Sequence, residues 1–360
     1  MKIGMVSIYL PEKDGIAIYT ENLCNELKKQ NVDVVKIGTL NSSCDYMLDL
    51  KSIWLHKNLK KIIAKEKIDV LHIQYIASRF SKYLLNMNLI YAMKKINIPI
   101  VTTMHEVQYE AINTTDRILC MIEKKIVNNS DFIIAHTKNQ SNFIIKKYGV
   151  KSECILMGLD IKKNELSDDK IKNLLFFGIM GRRKGLEYLI NSLKYLKGYS
   201  LAVAGRFEDK EYEKEIMSLI KKIDASKNSV TIKSGWISEE EKEKYYKNAD
   251  IVILPYTWAP YQSAVLHDAL SYGIPIVVTK TGAIWEIVDE FKCGKVVNAK
   301  ESREIANGII DVAKNYKIYC NGARNYQEES TWNKSVKKLI KEYKSVLLNH
   351  ENSRKCTPMT

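Results

Sequence analysis

The sequence lacks three features that would place it in common protein classes: a dinucleotide-binding glycine turn, closely spaced cysteines and a long apolar run. Residues 7–11, after the first predicted strand, contain no glycine, which disfavours a nicotinamide-dependent oxidoreductase. The seven cysteines are scattered without zinc or redox spacing, and this odd, unpaired set fits a reducing cytoplasm. No apolar run reaches the roughly 18 residues of a membrane span, and residues 1–10 show no signal-peptide cleavage site. We therefore expect a cytoplasmic protein that is soluble or bound at most to the inner surface of the cell membrane.

The positive charge of the chain is not concentrated in any one block. The net charge is +14 and the pI is near 9.2, but the lysines are spread through both halves. This dispersal disfavours a nucleic-acid partner, whereas attraction to anionic lipid headgroups or to a phosphorylated substrate stays open. The sequence shows no hydrolase-like carboxylate pair and no cluster of metal ligands, so we expect neither a metal nor a cofactor.

The order of apolar segments predicts an α/β protein with two domains. The chain of 360 residues exceeds the usual size of one domain. In both halves short apolar runs alternate with amphipathic helical segments, which is typical of parallel sheets. We predict a first domain at 1–165, a polar linker at 162–172 and a second domain at 172–332. An apolar stripe over 333–350 predicts a long C-terminal helix.

Three residues at predicted strand ends of the first half are candidates for a site. Gly15 begins a helix after the first strand, where a plain turn is as good an explanation as a ligand contact. His72 should lie at or near the carboxyl end of the strand at 69–74, and we favour a histidine that is hydrogen-bonded within the fold. His105 directly follows the strand at 98–104.

The stretch at 251–286 is the centre of the second half. It reads as a buried strand, a loop, a helix at 263–272 and a second buried strand. In parallel sheets ligands lie outside the carboxyl ends of the strands, where the N–H groups of helix N-termini attract anions. We therefore expect the backbone around Gln262, Ser263 and Ala264 to hold a phosphorylated ligand.

A group of cations follows the first strand of the second half. Arg182, Arg183 and Lys184 precede a helix predicted at 186–196. Cations at such a position suit a diphosphate, although solvated side chains on a loop are the alternative. Trp236 follows another strand, where its ring could stack on a base or fill the core.

These segments resemble the retaining glycosyltransferases of the GT-B fold, family four. The resemblance covers about residues 1–347 and is carried by Lys184-Gly185 and by the stretch from Pro255 to Glu286. It implies two Rossmann-like, doubly wound domains facing a central cleft, with the C-terminal helix crossing back to the first domain. The implied reaction moves a sugar from a nucleoside-diphosphate sugar to a hydroxyl of a glycan, a polysaccharide or a lipid-linked precursor, with retention of anomeric configuration.

The resemblance also implies roles for individual residues. Lys184, with Arg182 or Arg183, would stabilise the diphosphate leaving group, and His105 would lie near the transferred sugar. Asp268 takes the place of the glutamate that holds the ribose. The further substrate-binding candidates are Gly15, Trp236 at the nucleobase, Gln262, Ser263 and Ala264 at the phosphates, and Glu286 as an orienting group.

Two positions depart from the family pattern. The first glutamate of the family maps to Pro260, and Gly181 stands where the family has an arginine. Proline cannot accept a hydrogen bond from a sugar through its side chain. These departures motivate the alternative of a non-catalytic relative that binds a nucleotide sugar or a partner enzyme, and the oligomeric state stays open.

Overall fold

The computed structural model describes residues 1–12, 15–39, 42–50, 52–76, 83–109, 111, 113–164, 170–259 and 262–355, with the side chains of 83–86 and 353–355 left out. The chain forms two compact units, Met1–Gly158 together with the segment from Trp332, and Leu159–Thr331. The boundary lies earlier than the predicted 165, because the backbone after Gly158 pairs within the second unit. Leu159 forms a parallel bridge to Thr331, and the Lys162 N–H donates to the Ser271 carbonyl at 2.9 Å.

The first unit is built on one parallel sheet. Its strands are β1 (Lys2–Ser7), β2 (Asp33–Thr39), β3 (Tyr46–Leu48), β4 (Val70–Tyr75), β5 (Ile100–Met104), β6 (Phe132–Ala135) and β7 (Ser152–Cys154). They pair in the order β3-β2-β1-β4-β5-β6-β7. The helices between them are α1 (Gly15–Lys29), α2 (Leu55–Glu66), α3 (Tyr83–Lys95), α4 (Thr114–Asn128) and α5 (Lys138–Tyr148).

The second unit repeats this architecture. Its strands are β8 (Asn173–Phe177), β9 (Ser200–Gly205), β10 (Ser229–Ser234), β11 (Ile251–Leu254), β12 (Ile276–Thr279) and β13 (Gly294–Val297). They are parallel and pair in the order β10-β9-β8-β11-β12-β13. The helices are α6 (Leu186–Ser192), α7 (Lys210–Ile220), α8 (Glu239–Lys247), α9 (Ala264–Ser271), α10 (Ile284–Phe291), α11 (Ser302–Lys314) and α12 (Tyr316–Glu329).

The long C-terminal helix α13 (Trp332–Lys355) belongs to the first unit, as the sequence predicts. Its apolar stripe is buried in a core that it shares with α1, through Val336, Leu339 and Tyr343 of α13 and Leu23 of α1. Burial of such a stripe is the main source of stability for an amphipathic helix.

The central strands of both sheets are buried on both faces, because helices cover each side. All residues of β11, β12 and β4 are buried, which explains why β11 and most of β12 read as apolar runs, whereas β4 also buries the polar residues His72 and Gln74. Each sheet has one point where the strand order reverses, between β1 and β4 and between β8 and β11. The crevice outside the carboxyl ends of the strands at this point is the usual ligand site of a doubly wound sheet. No helix among the described residues is long and apolar enough to cross a membrane.

Candidate functional site

The loops after β8 and β11 are held against each other at the reversal point of the second sheet. The Thr257 N–H donates to the Arg183 carbonyl at 2.9 Å. Gly185, which has φ +66°, approaches the other loop so closely that a Cβ there would lie 2.1 Å from the Pro255 carbonyl oxygen. Glycine is thus required at 185 both by its left-handed backbone and by this contact.

Lys184 is the cation that this arrangement buries. Lys184 is only 8 % exposed, and its Nζ lies 3.6 Å from the centre of the Tyr256 ring. An ammonium over an aromatic face is stabilised by the ring quadrupole, more so when water is partly removed. Burial raises the pKa of the Tyr256 phenol to about 12, so this residue stays neutral beneath the lysine. The loop therefore holds a fixed positive charge at the carboxyl edge of the sheet.

The N-terminus of α9 lies beside the same loop. The Ser263 hydroxyl lies 3.2 Å from the Tyr256 hydroxyl and so is directed away from the capping position of its own helix. Gln262 donates from Nε2 to the Ala283 carbonyl at 2.9 Å, which ties the loop to the one after β12. Ala264, the first helical residue, is exposed. The first-turn N–H groups of a helix have no intrahelical acceptor and can bind an anion; Pro260 lies outside the described residues.

The two arginines of the predicted cation group have carboxylate partners instead. The Arg182 Nη1 lies 2.7 Å from Glu215 Oε2 on α7, and the Arg183 Nη2 lies 3.4 Å from Glu208 Oε1. Glu208 also occupies the space beside Gly181, where a Cβ would lie 1.9 Å from Glu208 Oε2. A side chain larger than hydrogen at 181 would therefore displace Glu208. That Arg182 faces a leaving group stays a prediction. In this structure the Arg182 side chain faces α7.

Asp268 lies on α9 and pairs with α8. Its Oδ2 is 2.9 Å from Lys242 Nζ, and 30 % of its side chain is exposed. Burial raises the pKa of the Asp268 carboxyl, while the Lys242 ammonium opposes this shift. The acid expected to hold a ribose is thus present with one cation already bound to it.

The other candidates of the second unit lie in different surroundings. Glu286 is 5 % exposed in the first turn of α10. Trp236, after the edge strand β10, is 69 % exposed. The alternative that Trp236 fills the core is therefore wrong, because a side chain of the core would be largely buried.

The first unit places three histidines on neighbouring strands: His105 and His136 directly follow β5 and β6, whereas His72 lies inside β4 and not at its predicted carboxyl end, because β4 continues to Tyr75. This histidine cluster consists of His72, His105 and His136, all at most 5 % exposed. Burial lowers the pKa of His72 to about 3 and of His136 to about 4, and it lowers the pKa of His105 well below its ordinary value. All three are therefore neutral at physiological pH. Within the part of the chain that the structure describes, no group of three potential metal ligands is arranged to hold an ion.

A hydrogen-bonded chain through Gln74 orients His105. Gln74 Oε1 lies 2.8 Å from His105 Nε2, and Gln74 Nε2 lies 3.2 Å from His72 Nε2. His72 in turn bonds Thr103 Oγ1 at 2.8 Å and the Tyr343 hydroxyl at 2.5 Å, so the hydrogen bonds expected for His72 are present. An amide oxygen only accepts, so His105 must carry its proton on Nε2 and keep its lone pair on Nδ1.

Gly15 begins α1 in the same unit. Tyr19, one helical turn later, contacts the His105 ring with centroids 5.2 Å apart. The start of α1 and His105 are thus close in the first unit. In the second unit, the loops bring together Lys184 and Ser263.

Besides His136 of the histidine cluster, two residues that support site residues were not predicted from the sequence. Tyr256 supports Lys184, and Gln74 orients His105. Both stand at or just after the end of a buried strand, which is the signal that singled out His72 and His105. A polar residue at each strand end of a parallel sheet is therefore worth considering, whatever its type.

Two doubly wound sheets, with a buried cation and a helix N-terminus at the reversal point of the second, define a class of protein that handles phosphorylated ligands. The family model "Glycosyl transferases group 1" matches residues 159–331, and the model "Glycosyltransferase Family 4" matches residues 13–163. The chain belongs to this group of GT-B glycosyltransferases, which confirms the predicted family and the predicted α/β architecture with two parallel sheets. The family also confirms the predicted class of activity, which is transfer of a sugar from a nucleotide sugar.

Several proteins are similar to the chain over most of its length. An "Uncharacterized 41.2 kDa protein in cps region" of Klebsiella pneumoniae is 24 % identical over 88 % of this chain and 91 % of its own. The structure of a sucrose-phosphate synthase from Thermosynechococcus elongatus has a TM-score of 0.74 at 18 % identity, covering 97 % of this chain and 100 % of that one. The Anabaena protein HepE, solved with UDP and glucose, has a TM-score of 0.68 at 16 % identity over 96 % of this chain and 100 % of its own.

Proposed function

We propose that this glycosyltransferase retains the anomeric configuration and transfers its sugar to a hydroxyl of a glycan, a polysaccharide or a lipid-linked precursor. The observation that carries the proposal is the buried ammonium of Lys184 beside the N-terminus of α9. When the bond between sugar and diphosphate breaks, negative charge grows on the leaving phosphate. A cation and N–H groups fixed before the reaction stabilise that charge without reorganisation.

Several candidate site residues of the second unit have a proposed role in binding the donor. Lys184 binds the diphosphate, and the backbone N–H groups around Ser263 and Ala264 bind its other oxygens. Asp268 accepts hydrogen bonds from ribose hydroxyls through the oxygen that Lys242 does not hold. Trp236, exposed after β10, offers its face to the base.

The first unit supplies groups for the transferred sugar and the acceptor. Neutral His105, with its Nδ1 lone pair, accepts a hydrogen bond from a hydroxyl, and its ring contacts Tyr19, which lies one helical turn after Gly15 at the start of α1. A neutral imidazole suits this role because it neither repels nor attracts the positive charge that develops on the sugar ring. Glu286 orients the donor side from the first turn of α10.

UDP-sugars are the first donors to test, because HepE has been solved with UDP and with UDP-glucose. We propose a cytoplasmic enzyme that acts at the inner face of the cell membrane, where a lipid-linked acceptor would be located. The net charge of +14 supports contact with anionic lipid. No metal or cofactor takes part in the proposed scheme.

Thermal stabilisation by nucleoside diphosphates tests the donor site, since a ligand that binds only the folded state raises the melting temperature. We expect one nucleotide to raise it, and Lys184→Gln to remove the shift while the protein stays folded. Turnover of Lys184→Gln should fall about a hundredfold to a thousandfold. Binding without transfer to any acceptor would instead support the non-catalytic alternative that Pro260 and Gly181 motivate, and no binding at all would refute the site.

A further inference from the structure

Four large side chains of the first unit are exposed on α3 and on the segment that leads into α2. Ile53 and Trp54, just before α2, are 69 % and 52 % exposed, and Met87 and Tyr91 of α3 are 46 % and 48 % exposed. The Met87 and Tyr91 side chains are four residues apart and so lie on one face of their helix. Single exposed apolar residues are common, but a group on adjacent elements marks an interaction surface.

Contacts between the two helices bring these side chains to one surface. His56, in the first turn of α2, packs its ring against Tyr91 with centroids 5.0 Å apart. The Asn88 side chain donates to the Leu50 carbonyl, 3.3 Å away, in the segment that leads into α2. The residues before α2 are therefore held alongside α3. We call the surface formed by Ile53, Trp54, Met87 and Tyr91 the aromatic patch.

The two helices that carry the aromatic patch are rich in lysine. The exposed ones are Lys57, Lys60, Lys61 and Lys65 of α2 and Lys94 and Lys95 of α3. Two of them lie directly over its rings, with Nζ to ring-centre distances of 4.1 Å for Lys57 on Trp54 and 5.6 Å for Lys95 on Tyr91. Glu66 is the acidic residue of α2, and it already has Lys2 and Tyr46 as partners. The surface of α2 and α3 beside the patch thus carries a net positive charge.

The patch lies at the edge of the sheet where the candidate acceptor groups lie. In a parallel sheet each helix begins at the carboxyl end of the strand before it. Ile53 and Trp54 follow β3, and Met87 lies in the first turns of the helix that follows β4. His105 follows β5 and Gly15 follows β1, so all these residues share the carboxyl edge of the first sheet.

We propose that the aromatic patch docks the first unit onto an anionic lipid surface. Tryptophan and tyrosine favour the interface between headgroups and acyl chains, because their rings are amphipathic. Lysines beside them reach the phosphates of anionic lipids, with apolar stems that lie along the ring faces. Docked in this way, the carboxyl edge faces the membrane, where a lipid-linked acceptor presents its hydroxyl. The choice of acceptor rests on the function proposed above, whereas the docking surface does not.

Flotation of the full chain with vesicles tests this surface. Phosphatidylcholine vesicles are compared with vesicles that also contain phosphatidylglycerol, and we expect binding to the anionic ones alone. Trp54→Ser should weaken that binding about tenfold, and the double variant Lys57→Gln, Lys61→Gln about 25-fold, since each lysine near an anionic surface contributes about a factor of five. The matched control changes an exposed apolar residue and an exposed lysine of the second unit, Ile318→Ser with Lys314→Gln, and should bind as the wild type does.

Three outcomes would overturn the proposal. Binding that is equal on both vesicle types, or that falls as much in the control as in Trp54→Ser, would show that the patch does not recognise anionic lipid. Self-association in solution that Trp54→Ser abolishes, without vesicle binding, would make the patch a protein interface. Thermal stabilisation by the nucleotide is measured on the same variants and should be unchanged, so a failure of docking is distinguishable from a failure of the donor site.

Discussion

Replacing Gly185 by alanine should separate two loops that the donor site needs in contact. The new Cβ would lie 2.1 Å from the carbonyl oxygen of Pro255 and 3.1 Å from its carbon, and these backbone atoms cannot rotate away as a side chain could. The left-handed backbone of residue 185, with φ +66°, adds a strain of about 1 kcal/mol for alanine. Overpacking adds about 1–3 kcal/mol, so we expect unfolding free energy to fall by about 2–4 kcal/mol.

Gly198→Ala is the matched control for backbone strain. Gly198 has φ +84°, and no atom of the described residues lies within 4 Å of its Cβ position. It belongs to the same unit, so both substitutions affect the same unfolding transition, which matters in a chain with two units. We expect Gly198→Ala to lose only about 1 kcal/mol, the strain term alone.

Urea unfolding and nucleotide titration together decide the outcome. Gly185→Ala should lose more stability than Gly198→Ala and should also bind the nucleoside diphosphate more weakly, since movement of the Pro255 loop carries Tyr256 away from Lys184. Equal losses of stability in the two variants would mean that the loops relax around the added methyl group. In that case the contact at 185 does not position Lys184, and this reasoning is refuted.

Three further predictions concern charges and hydrogen bonds. Asp268→Asn should weaken binding of the nucleoside diphosphate about tenfold to a hundredfold, as measured by calorimetry. If Asp268→Asn and Lys242→Gln lose the same stability and neither loses affinity for the nucleotide, the ion pair is purely structural. The histidine cluster should make the protein less stable in acid: unfolded histidines take up protons near pH 6.5 and the buried ones do not, so stability is complete above that pH and falls toward pH 4. Each buried histidine should lower the free energy of unfolding by about 2 kcal/mol as the pH falls from 6.5 to 5. Urea unfolding measures this loss, and an unchanged stability over this range would contradict the assigned burial. Gln74→Leu should lower turnover about tenfold without changing nucleotide affinity, and Gln74→Glu, which keeps an acceptor for His105, should recover activity with a shifted pH profile; equal activity of all three forms would exclude the orienting role.

The fold could be predicted because its signals are local. The strand β11 and the helix α9 appear in the sequence as an apolar run and an amphipathic segment, and the end of the helix coincides with Gly273 at φ +70°. Each of these signals comes from a few consecutive residues whose side chains share one environment. The same holds for α13, whose apolar stripe indicated that it packs on another element.

The partners of site residues could not be predicted because they come from distant parts of the chain. Arg182 pairs with Glu215 on α7, and Arg183 pairs with Glu208 in the loop after β9. Nothing near residue 182 in the sequence indicates either partner. The contact between Gln74 and His105 joins a residue of β4 to one that directly follows β5, and its existence depends on the register of β4 against β5. A polar residue at a strand end shows that a partner is needed, but only the packed fold decides which one.

The geometry of the turn at Arg182–Lys184 explains why three successive cations do not act together. In a 3₁₀ turn successive side chains point about 120° apart, since there are about three residues per turn. One of the three faces Tyr256 and the crevice, and that is Lys184, while the arginines face Glu215 and Glu208. Arg182→Gln should therefore change turnover less than about threefold, because an exposed ion pair contributes little, whereas Lys184→Gln removes a fixed charge from the site. Steady-state kinetics of both variants with the same donor tests this, and an equal loss for Arg182→Gln would show that this arginine leaves Glu215 when the diphosphate binds.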